Sequence, residues 1–92
     1  MPRNRMYLHA ENKSIEKDMT LFILRYLHMR GYEGDLGHEM QDVQGESVEM
    51  SYVEINVEED WGLTDVQILA HELGTKLETY LQSRYVKEDF EN

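Results

Sequence analysis

Ser47-Val48-Glu49-Met50-Ser51-Tyr52-Val53-Glu54-Ile55-Asn56-Val57-Glu58 is the stretch on which the reading of the whole chain turns. Apolar and polar residues alternate along it, the period of a strand with one face in a core. Val48 and Met50 fall in one phase, Val53, Ile55 and Val57 in the other. One extra residue near Tyr52, a β-bulge, would return them to a single apolar face. Residues 38–44 read as the partner strand, with the hairpin closed around Gly45-Glu46. Glycines at 31, 34 and 37, at intervals of three, predict a flexible loop over residues 32–37. Without a lysine or a Gly-Lys-Ser/Thr ending, it does not resemble a phosphate cradle.

Working outward, Arg5 to Glu11 alternates Met6, Leu8 and Ala10 against Tyr7 and His9, which predicts a strand. Asn12 or Ser14 can cap the helix that follows, expected over 14–30. Its apolar face is Ile15, Met19, Phe22, Ile23, Tyr26 and Leu27, and Gly31 suits a left-handed C-cap. Leu21, Leu24 and Met29 lie off that face, so the helix is expected to be covered on two sides or to meet a second copy. After the hairpin, Thr64-Asp65-Val66-Gln67 reads as a capping box, with Leu63 and Ile68 as its staple. The last helix buries Val66, Leu69, Leu73, Leu77, Tyr80 and Leu81 and carries Gly74 inside it. Tyr85 to Phe90 is a candidate edge strand, and residues 1–4 and 88–92 are expected to fray. The order β-α-β-β-α predicts an α+β domain over residues 1–92. Its antiparallel sheet of three to four strands would have both helices on one face, and a final strand would make it a ferredoxin-like βαββαβ.

Ninety-two residues suffice for one core and leave little room for a deep cavity. There is no cysteine, which excludes disulfides and thiolate metal sites and fits a cytoplasmic setting. The longest apolar run, Leu21-Phe22-Ile23-Leu24, is too short to cross a bilayer. The formal charge is −10, unevenly placed: residues 31–75 contain twelve acids and no lysine or arginine. This speaks against direct binding to nucleic acid, where cations must displace counterions, and against anionic membranes.

Catalytic signatures are absent. His71-Glu72 begins a His-Glu-x-x-His zinc motif, but Thr75 stands where the second histidine belongs. His9, His28 and His38 share no ligand spacing with it, and no serine sits in a nucleophile elbow. The expectation is a binding protein and not an enzyme, with no cofactor and no metal.

The acids carry the information. Glu49, Glu54 and Glu58 are expected along the exposed face of the long strand, joined by Glu39 or Asp42 from its partner and continued by Glu59 and Asp60 into the Trp61 loop. Same-face strand positions repeat every ~6.6 Å, broadly like successive phosphates. The candidate partner-binding set is Asp35, Glu39, Asp42, Glu46, Glu49, Glu54, Glu58, Glu59, Asp60 and Trp61. Size, charge and missing catalytic motif together resemble small phage-encoded inhibitors, the anti-CRISPR and anti-restriction proteins that imitate DNA. The resemblance implies occupation of the basic, nucleic-acid-binding groove of a partner protein, in the host cytoplasm if the chain is phage-encoded. The competing expectation is a structural subunit that forms a homodimer or larger assembly, its charge serving solubility.

Overall fold

A computed structural model describes residues 3–56 and 61–86. Strand β1 (Arg3–Leu8) leads through Asn12 into helix α1 (Lys13–Met29), then strands β2 (Glu33–Val43) and β3 (Glu46–Asn56) and helix α2 (Leu63–Leu81). The strands form one antiparallel sheet in the order β1-β3-β2. With α1 crossing between β1 and β2, this is the split β-α-β arrangement. The predicted α+β class holds. A fourth strand is not found among the described residues: Gln82–Val86 continues α2 as a π-helical turn, and residues 87–90 lie outside the described part.

Local sequence explains the limits of α1. The Asn12 carboxamide accepts from the Ser14 and Ile15 amides, so Asn12 is the N-cap and Ser14 is inside the helix. At the far end Gly31 takes a φ of +85°, the Gly31 amide reaches His28 and the Tyr32 amide reaches Leu27. Those two bonds are a Schellman C-cap. Helix α2 starts one residue earlier than its expected cap. Asp65 accepts from the Gly62 amide at 2.9 Å, which makes Gly62 the N-cap and leaves Thr64 in the first turn. Leu63 and Ile68 are 74% and 61% exposed, so they form no staple.

Three expectations for the hairpin are corrected. The turn is Gln44-Gly45, both with positive φ (52° and 86°), the two-residue geometry that matches strand twist. The pairing of β2 with β3 runs unbroken from Glu33–Asn56 to Val43–Glu46, so there is no bulge at Tyr52. The glycine stretch is strand, not loop. A Cβ on Gly34 would lie 3.2 Å from Leu24 and Val53 side-chain carbons, and one on Gly37 would lie 2.3 Å from the Tyr52 ring. These glycines let α1 and a cross-strand aromatic close onto β2.

Both helices pack on one side of the sheet. Leu8, Val53 and Ile55 meet Ile23 and Leu27 of α1 and Leu69, Leu73 and Leu77 of α2 to form the core. The two helices are tied along their length: Phe22 stacks on Tyr80, Asp18 accepts from Tyr80 and Tyr85 and pairs with Arg84, and Glu72 accepts from Tyr26 and Arg30. Tyr85 and Arg84 reach Asp18 because the chain stays helical there, so the expected edge strand does not begin at Tyr85. Arg3 and Asn4 belong to β1, whereas residues 1–2 and 88–92, expected to fray, lie outside the described residues. No helix among the described residues is long and apolar enough to cross a membrane.

Candidate functional site

Side chains alternate along a strand, so the unbroken register assigns every acid of the hairpin to a face. Ser51, Val53 and Ile55 point at the helices. On β3 the opposite, open face therefore holds Glu46, Val48, Met50, Tyr52, Glu54 and Asn56. On β2 it holds Glu33, Asp35, Gly37, Glu39, Gln41 and Val43, and on β1 Arg5 and Tyr7. Glu49 and Asp42 fall on the helix side. The expected line of Glu49, Glu54 and Glu58 is thus not one face: two of its members are on opposite sides, and Glu58 lies outside the described residues with Glu59 and Asp60.

At the centre of the open face lies an aromatic and ionic cluster. Tyr7 and Tyr52 meet edge to face, their centroids 5.8 Å apart. Arg5 lies over the Tyr52 ring at 4.3 Å, donates from Nε to Glu54 at 2.9 Å and from Nη1 to Glu39 at 3.3 Å. Glu39 also accepts from the Tyr7 hydroxyl and, at 2.6 Å, from the Gln41 amide. The Tyr7 hydrogen bond, with Arg5 behind it, holds the Glu39 carboxyl below the usual carboxylate range against the cost of desolvation. The same bond pushes the Tyr7 phenol up. Its bond to Glu54 raises the Arg5 guanidinium further. Glu54 is only 8% exposed. Glu39 and Glu54 are therefore committed to neighbours within the fold, and the sequence reading of them as free partner-binding charges is narrowed.

Around this centre stand acids that face solvent. Glu33, Asp35 and Glu46 are exposed on the open face, and Asp35 is directly opposite Glu54 in the pairing. Among side chains described there, Arg5 is the one cation. Trp61 sits elsewhere. It is half-buried against the core and meets Tyr32 edge to face at 5.4 Å, at the end of the helical layer. Its structural alternative, capping the core beside the last helix, is what the fold displays.

A further polar centre was not foreseen from the sequence. Glu16, in the first turn of α1, is 3% exposed. It accepts from Ser51 Oγ at 2.7 Å, the Ala10 amide at 3.0 Å and Lys13 Nζ at 3.3 Å, and contacts His9 Nδ1 at 3.1 Å. Burial on its own would raise the carboxyl, but Ser51, Ala10 and Lys13 bring it down to about 2. The signal was the spacing: Glu16, Thr20, Ile23 and Leu27 form one buried line on α1. The four histidines are not brought together. His9 contacts Glu16, while His28, His38 and His71 are exposed on separate elements.

The chain matches no protein-family model, no curated protein and no solved structure.

Proposed function

We propose that this protein is a binding module that docks through its open sheet face onto a basic surface of a partner protein. A nucleic-acid-binding groove is the surface chemistry it suits best. The observation that carries the reading is the composition of that face. Glu33, Asp35 and Glu46 are exposed around a Tyr7–Tyr52–Met50 centre, and the described cation, Arg5, is already paired. Aromatic side chains ringed by charge supply the anchor and the orienting field that interfaces use. Among its described side chains such a face offers no unpaired cation, so the partner supplies the cations. The reading is of binding and inhibition or masking, without catalysis.

The test is affinity capture from lysate with the chain as bait, read by mass spectrometry at low and high salt. A basic, nucleic-acid-binding partner lost at high salt supports the reading. The control is the triple variant Glu33→Lys, Asp35→Lys, Glu46→Lys. All three residues are exposed, so the fold should survive while capture is lost. Capture that is unchanged by the reversal overturns the proposal.

A further inference from the structure

We infer that β2 is a self-association edge, along which two copies of this chain pair antiparallel about a twofold axis at His38 to make one six-stranded sheet. The inner edge of β2 is bonded to β3 along all of Glu33–Val43, whereas its outer edge has no strand beside it among the described residues. Long edges of this kind are usually guarded by charged side chains, above all lysine, by proline or by a bulge. β2 has no lysine, proline or bulge; its charges are the acids Glu33, Asp35, Glu39 and Asp42, and between them lie Leu36 and Met40, 47% and 57% exposed.

The hydrogen-bonding phase suits a partner. A two-residue turn makes Val43 and Glu46 a doubly bonded pair, so the odd-numbered residues of β2 use their amides on β3. Gly34, Leu36, His38, Met40 and Asp42 then present theirs outward. Residues directly opposed in antiparallel strands share a face, so a twofold axis must fall on a residue. An axis at Leu36 opposes Glu33 to Glu39, one at Gly37 opposes Asp35 to Glu39, and one at Glu39 opposes that residue to its own copy. The axis at His38 opposes no like charges: Leu36 meets Met40 of the second copy, Asp35 meets Gln41, and Glu33 meets Val43. An axis at Met40 avoids like pairs too but uses fewer residues.

The same register closes an open groove. A groove of about 480 Å³ lies between α1 and β2, lined by Lys17, Leu21, Leu36 and His38. In the dimer Met40 of the second copy stands beside Leu36 at its mouth, where both exposed side chains lose contact with water. Each copy carries −10, so repulsion between copies is long-range and salt relieves it. Self-association therefore strengthens with salt, the opposite of capture by a basic partner, and the two readings stand or fall separately.

The experiment is sedimentation of the full chain from about 1 to about 300 µM at low and high salt, with a dimer that grows with both as the expected result. Two double variants test the register. Leu36→Glu with Met40→Glu opposes like charges twice and should be monomeric, whereas Leu36→Lys with Met40→Glu opposes unlike charges and should dimerise. Because the chain has no cysteine, His38→Cys can be cross-linked cleanly with a mild oxidant. Its Cα atoms would be ~5.5 Å apart, within disulfide reach. Asp42→Cys, about 26 Å from its own copy at strand rise, is the control and should link at least about tenfold more slowly. A monomer under all conditions, equal behaviour of the double variants, or equal linking at 38 and 42 overturns the inference.

Discussion

Replacing Glu16 by glutamine should cost stability at neutral pH and almost none in acid. The carboxylate is buried beneath α1 and satisfied by Ser51, the Ala10 amide and Lys13, which together outweigh its desolvation and lower it from the ordinary 4.5 to about 2. A folded-state pKa below the unfolded one contributes stability that is present above pH 4.5 and lost as pH falls toward 2. At about 1.4 kcal/mol per pH unit, the gap is worth about 3 kcal/mol at most. The Lys13 side chain is 59% exposed, and solvent screening of that ion pair reduces the figure to about 2 kcal/mol. Glutamine keeps an acceptor for the Ala10 amide and can donate its carboxamide N–H to the Ser51 hydroxyl oxygen, so the variant should fold. Urea unfolding of both proteins at pH 6, 4.5, 3 and 2 is the assay. The other acids cancel in the difference, which should shrink by about 2 kcal/mol across the series. A difference that stays constant with pH would refute the account of Glu16 as a buried, ionised anchor.

Gly74→Ala should stabilise the protein by about 1 kcal/mol, because a Cβ there meets nothing within 4 Å and α2 gains a better helix former. A thermal midpoint raised by roughly 4–8 °C would be the readout. Gly37→Ala should drive the Tyr52 ring from its seat on β2 and loosen the Arg5 contact, costing about 1 kcal/mol. Unchanged Tyr52 ring resonances in the variant would contradict that packing. Ile23→Ala empties a fully buried position and should cost about 2–5 kcal/mol in urea unfolding. A loss under 1 kcal/mol would mean that α1 does not seat there.

Much of the fold was legible because it is written in local chemistry. The apolar spacing of α1, its Asn12 cap and Gly31 stop, the alternation of the hairpin and the leucines of α2 each act within a few residues. The errors share one cause. The bulge at Tyr52 followed from assuming that all apolar strand residues seek the same core, whereas Val48 and Met50 accompany Tyr52 on the open face. The loop at 32–37 followed from reading glycine as freedom, whereas Gly34 and Gly37 make room for Leu24 and the Tyr52 ring.

The same distinction runs through the candidate site. Composition alone determined that the middle of this chain is acidic and lacks lysine and arginine, the ground on which a basic partner is proposed. Period two places alternate residues on opposite faces but does not say which face meets the helices. Only the continuous β2–β3 register and the seating of Ser51, Val53 and Ile55 under the two helices decided that Glu33, Asp35 and Glu46 look out from the open face while Glu49 does not. Likewise, only the third dimension brought Arg5 from β1 between Glu39 and Glu54, removing two of the expected free charges. Charge is a sum over the sequence, but its accessibility depends on neighbours that are distant along the chain.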